Sequence, residues 1–112
     1  MNIQIFGTKK CFDTKKAERY FKERRIKYQF VDLKQKSLSK GELNSIKSAV
    51  GLKELIDSKS KEYTRLNMAN IRTPDVKEKL LLENPKLYRT PIVRNGRKAT
   101  VGYKPEIWKE WD

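Results

Sequence analysis

Apolar residues change their period along this chain, and each change marks an element. Residues 2 to 6 alternate short polar and apolar types and read as a buried strand that ends at Gly7. From Asp13 to Arg25 the apolar positions Ala17, Tyr20 and Phe21 recur at helical spacing among charged residues. Ile26 to Leu33 returns to period two with aromatic and β-branched side chains, which predicts a second strand. Two strands joined through a helix must cross over, so this unit is expected to be parallel and right-handed.

The middle of the chain is helical in pattern. Ser39-Lys-Gly-Glu42 has the form of a capping box and opens a helix carrying Leu43, Ile46, Ala49 and Val50, with Gly51 as its stop. A short helical piece, Leu52 to Ile56, leads into the polar stretch from Asp57 to Glu62, and Tyr63 and Leu66 return to the core. Thr73-Pro74 is a cap followed by proline at the first helical position; Val76, Leu80 and Leu81 give that helix its apolar face, and Asn84-Pro85 ends it. Asn95-Gly96, between the apolar segments of residues 91–101, is the strongest hairpin signal present. Gly102 to Pro105 then starts a final helix bearing Ile107, Trp108 and Trp111. The order is β-α-β, a helical insert, then β-β-α. With no repeat, linker or low-complexity stretch, residues 1–112 read as one α/β domain.

Charge narrows the possible partners. The 27 Lys+Arg against 14 Asp+Glu give a formal +13, and histidine, the commonest general base and metal ligand, is absent. Such a field favours anionic partners. The lysines are spread through every segment, however, which reads as a solvated surface with no specific nucleic-acid site. Tyr20, Phe21, Phe30, Trp108 and Trp111 sit at core spacing and are expected to pack rather than to stack on bases. No apolar run approaches the ~18 to 20 residues of a membrane span, and the N-terminus enters a strand directly. One cysteine cannot form an internal disulfide, so a cytoplasmic protein is expected; a monomer is a separate expectation.

That cysteine, Cys11, falls between the first strand and its helix. A helix N-terminus has unpaired N–H groups and a partial positive charge, so sulfur held there is stabilised as thiolate. Lys9, Lys10, Lys15 and Lys16 are expected to push the same way. The competing reading is an inert buried cysteine, since free cysteine is among the most buried residue types. Pro91 opens a strand, where it donates no ladder hydrogen bond, and the topology puts its loop beside Cys11.

These residues carry a family resemblance over nearly the whole chain. Phe6-Gly-Thr-Lys-Lys-Cys11 with Lys15-Lys16-Ala17, Tyr28-x-Phe30-x-Asp32, Leu38-Ser39, Gly51, Ser58-Lys-Ser60, Leu66-Asn67, Thr90-Pro-Ile-Val93 and Val101-Gly-Tyr103 occur in a common order. Together they resemble the arsenate reductase-like family, a thioredoxin-fold group that also holds the Spx-type transcriptional regulators. The resemblance implies a glutaredoxin-like core around a mixed four-stranded sheet, with Cys11 as redox nucleophile and Pro91 as a cis-proline. Thr14 stands where a second cysteine would complete a Cys-x-x-Cys pair, so it offers the thiolate a hydroxyl instead. Oxidised Cys11 must then form a mixed disulfide with an external thiol, resolved by a second thiol or a glutaredoxin-like partner. Glutathione or another low-molecular-weight thiol is the implied co-substrate, with no bound cofactor or metal. Lys10, Lys59 and Arg89 would hold it, and Thr90-Pro91 would align it.

Arsenate reductases of this type use three arginines around the oxyanion. Here those positions hold Lys59, Thr90 and about Gly102, with Arg89, Arg97 and Lys98 nearby in sequence, which argues against arsenate as substrate. The alternative class is a binding module. The Spx-type regulators resemble this chain and bind the C-terminal domain of the RNA polymerase α subunit through a surface that includes the glycine aligned with Gly51, although a helix end also favours glycine for its conformation. Their Cys-x-x-Cys switch is missing at Thr14.

Overall fold

Alternation in the first strand splits the core in two. In the computed structural model, which describes residues 1–111, β1 (Ile3–Gly7) sends Ile3 and Ile5 to one face and Phe6 to the other. It is followed by α1 (Phe12–Glu23), β2 (Tyr28–Asp32), α2 (Lys40–Val50), α3 (Leu52–Leu55), α4 (Lys61–Arg65), α5 (Pro74–Glu83), β3 (Ile92–Asn95), β4 (Lys98–Val101) and α6 (Pro105–Trp108). The strands form one mixed sheet in the order β2-β1-β3-β4. β1 runs parallel to β2 and antiparallel to β3, and β3 and β4 are antiparallel.

Ile5 opposite Val93 faces Ala17, Tyr20 and Phe21 of α1 together with Trp108 and Trp111, whereas Phe6 opposite Ile92 faces Leu43 and Ile46 of α2 and the helical insert. Tyr20, Phe21 and Trp108 pack edge-on or tilted with ring centroids 5.0 to 5.2 Å apart, and the Trp108 indole N–H donates to the buried Thr100 hydroxyl at 2.8 Å. The expected packing role of these aromatics holds.

Element boundaries differ where local hydrogen bonding competes with pattern. β2 starts at Tyr28 rather than Ile26 because α1 closes in a Schellman turn. Arg25 takes a left-handed φ of 58°, its N–H donates to the Lys22 carbonyl, and the Ile26 N–H donates to the Phe21 carbonyl. The Ser39–Glu42 capping box forms with both hydrogen bonds, but Thr73 makes no side-chain cap bond. The stretch from Asp57 to Glu62 is not simply polar loop: Ser60 accepts from the Tyr63 N–H at 3.1 Å and opens α4. Three residues expected in apolar faces are exposed, namely Ala49, Val76 (43%) and Ile107. Val76 lies about 140° round the helix from buried Leu81, so both cannot face one core. Ala49 sits off the face shared by Leu43, Ile46 and Val50, and in the short α6 the core side belongs to Trp108.

Candidate functional site

Cys11 is the N-cap of α1, with extended φ and ψ of −80° and 120°, and its side chain makes no cap bond. The sulfur is therefore free to turn toward the loop before β3. There the thiol donates to the Thr90 carbonyl at an Sγ–O distance of 3.7 Å, and the Thr90–Pro91 bond is cis, as the resemblance implied. Pro91 is buried, and its carbonyl accepts from the Gly102 N–H at 2.8 Å, which fixes this loop against the end of β4.

Burial pushes the Cys11 thiol up; the side chains of Thr14 and Thr90 and the backbone N–H groups of Thr14 and Asp13 pull it down, and together they hold it below its ordinary value of 9.0. None of the four neighbouring lysines figures among these causes, contrary to expectation. Short-range donors decide the shift, because exposed ammonium groups act through water. The Thr90 carbonyl opposes it, since a carbonyl accepts only from the protonated thiol.

Thr14 is fully buried, and its hydroxyl has no formed hydrogen bond among the described residues. An unpaired donor in that position gains a partner when the adjacent sulfur ionises. Thr14 is held there by Gly7. A Cβ at residue 7 would stand 2.4 Å from Thr14 Oγ1 and 2.6 Å from its Cγ2, so only glycine lets the strand end and the helix start approach this closely. This role of Gly7 is invisible in the pattern, where it reads only as a strand terminator.

Of the other expected binding residues, Lys59 and Arg89 line a separate groove. A short antiparallel bridge between Ile56 and Tyr88, with Arg89 N–H to Leu55 carbonyl at 2.8 Å and Asp57 N–H to Leu87 carbonyl at 2.9 Å, ties the insert to the segment entering Pro91. Beside it runs a groove of about 710 Å³ whose lining includes Lys53, Lys59, Lys77 and Arg89 with Ile56 and Tyr63. Cys11, Thr14 and Thr90 do not line it. Arg89 is already paired with Glu54 at 3.2 Å, while Lys59 carries no ion pair among the described residues. Lys10 is exposed beside Cys11 without a side-chain hydrogen bond in the described residues. Gly51 joins α2 to α3 with φ 87° and ψ 152°, a conformation reserved for glycine, and nothing lies within 4 Å of where its Cβ would be. Arg97 and Lys98 stand at the hairpin tip, in register with Asn95 and so with Ile3, at the opposite end of β1 from Cys11. They cannot replace an arginine at the sulfur.

A mixed sheet of this order, with a helix-start cysteine facing a proline-led third strand, defines a thioredoxin-fold protein of α/β class. The ArsC family model matches residues 6–111, and the chain belongs to that family. It is 28% identical to the global transcriptional regulator Spx 2 of Oceanobacillus iheyensis, over 99% of this chain and 93% of that protein. It is 29% identical to the regulatory protein MgsR of Bacillus subtilis, over 92% and 84%. An arsenate reductase structure from Vibrio cholerae superposes with a TM-score of 0.87 at 24% identity, covering 98% and 97%, which shows the shared fold.

Proposed function

We propose that this chain is a thiol oxidoreductase that works through Cys11 and an external thiol such as glutathione, and that arsenate is not its substrate. The observation carrying this reading is the half-buried sulfur at the start of α1, held below its ordinary pKa by the Thr14 and Thr90 side chains and the first helical N–H groups. Cys11 thiolate attacks the glutathione sulfur of a mixed disulfide; the other thiolate leaves and takes a proton, and Cys11 is left bound to glutathione. A second glutathione thiolate attacks that same glutathione sulfur, giving glutathione disulfide and Cys11 thiolate again. Per cycle one mixed disulfide and one glutathione thiol are consumed, and one released thiol and one glutathione disulfide are formed. The donors that favour Cys11 thiolate as attacker also make it a good leaving group in the second step. Lys10 meets the anionic thiol beside the sulfur, and Lys59 and Arg89 offer cations in the groove beyond Arg89-Thr90.

A turnover assay with glutathionylated substrates and with arsenate, comparing wild type with Cys11→Ser, tests this. Glutathione-dependent turnover of the disulfides that vanishes in Cys11→Ser supports the reading, and its absence in the wild type sinks it.

The relatives named as a global transcriptional regulator and a regulatory protein favour a second reading, in which the chain docks on the RNA polymerase α C-terminal domain by the surface around Gly51. A pull-down with that domain decides the matter: no capture by the wild type rules docking out.

A further inference from the structure

Two segments flank Cys11, and each exposes large apolar side chains. Phe12, the first residue of α1, is 78% exposed; Tyr103 and Ile107, at the start of α6, are 39% and 41% exposed. Single exposed apolar residues need no explanation, but these border a nucleophile. The geometry joins them. Gly102, next to Tyr103, is bonded to Pro91, whose neighbour Thr90 accepts from the sulfur. Lys16 lies one helical turn beyond Phe12 on the same face, and its ammonium stands 5.8 Å from the Tyr103 ring centroid. Lys15 stands 5.6 Å from the Phe12 centroid.

The rim of this face is cationic. Lys9, Lys10, Lys15 and Lys104 have no ion-pair partner among the described residues, and Lys16 has only Asp13 at 4.0 Å. Reaction with a free low-molecular-weight disulfide needs access to the sulfur alone. Two aromatic faces with ammonium groups around them discriminate among the surfaces that carry the disulfide.

From this arrangement we infer that the face formed by Phe12, Tyr103 and the surrounding lysines docks a protein whose thiolated cysteine lies in an acidic segment with apolar side chains. The inference rests on the thiol oxidoreductase reading and names its substrate class. The partner's apolar side chains cover Phe12 and Tyr103, its carboxylates meet the lysine rim, and its mixed disulfide is presented to Cys11 for the first attack described above. The attraction is long-ranged and therefore sensitive to salt.

The test uses two peptides glutathionylated at a central cysteine, with equal apolar content and either acidic or basic flanks, and a small glutathione mixed disulfide of 2-mercaptoethanol as reference. At low salt the acidic peptide is expected to show a kcat/KM at least about tenfold above the basic one, with the gap narrowing as salt rises to about 0.5 M. Phe12→Ala and Tyr103→Ala are expected to lower kcat/KM for the acidic peptide severalfold and to leave the small disulfide unchanged. Tyr103 packs on Trp108, so its variant is checked by thermal melting; Phe12, which is largely free of contacts, serves if that variant unfolds. Equal use of both peptides, or no loss in Phe12→Ala, overturns the docking face while leaving the oxidoreductase reading intact. Binding of the reduced peptides to Cys11→Ser reads the face without the chemistry: the same acidic preference is expected, and its absence overturns the inference even if no disulfide is turned over. Failure of turnover with all three disulfides counts against the oxidoreductase reading instead.

Discussion

Thr14 carries a hydroxyl that is buried and unpaired while Cys11 is a thiol. A residue in that condition is tolerated at a cost of about 1 to 3 kcal/mol unless it does something when the neighbouring group changes charge. Thr14→Val keeps the shape and removes the orphan, so its melting temperature is expected to equal or exceed that of the wild type. The same variant is expected to move the pH midpoint of iodoacetamide alkylation upward and to slow disulfide turnover. An unchanged midpoint would show that Thr14 is only packing. A second consequence concerns stability and pH. The folded Cys11 ionises below the ordinary value of 9.0, so its ionised form favours the folded state. That contribution is full above the ordinary value, declines as pH falls through the folded pKa, and is gone below it. Cys11→Ser is expected to flatten the alkaline rise in stability between those two pKa values, measured by denaturant unfolding at a series of pH values.

Secondary elements place these residues, and they do so with little slack. Gly7→Ala puts a methyl group against Thr14 with no exposed side to yield, so a loss of about 1 to 3 kcal/mol is expected together with a higher alkylation midpoint. Chemical denaturation and the alkylation profile on one sample check both. Ser39→Ala, which breaks the capping box of α2 far from the sulfur, is expected to cost about 1 kcal/mol and to leave the midpoint where it was. The contrast separates loss of fold from loss of site. What could be read from the chain at this scale follows the same division. The strands, the capped α2 and the hairpin carry local signals, in periodicity, in Ser39 and Glu42 and in Asn95-Gly96, and they appeared where expected except that β2 starts at Tyr28, after the turn that closes α1. Topology put the Pro91 loop beside Cys11, but the cis peptide at Thr90-Pro91 and the place of Thr14 next to the sulfur were legible only through the family resemblance. The close approach of Gly7 to Thr14, the exposed Phe12 and the division of Lys59 and Arg89 from the sulfur are tertiary facts without a local signature. α4 escaped because five residues do not establish a helical period.

For the whole molecule, charge is the dominant global term. A formal +13 spread over a radius of gyration of 13.7 Å, with four ion pairs among the described residues, leaves most cations unpaired. The screening length is about 10 Å at 0.1 M salt, comparable to that radius, so added salt weakens self-repulsion across the molecule. The melting temperature is therefore expected to rise between low and moderate salt, and a fall would show that local ion pairs outweigh the net charge. The sulfur–carbonyl contact has a consequence of its own at this scale. Its two residues are separated by 79 positions, with β2 and the entire helical insert between them. During synthesis, a chain that has made only β1, α1 and β2 carries Cys11 with its local N–H donors but without Thr90. The native environment of the thiol then arrives late, once the chain through residue 95 has emerged and β3 has docked on β1. Cys11 alkylation is thus a clock for completion of the fold as much as a measure of chemistry.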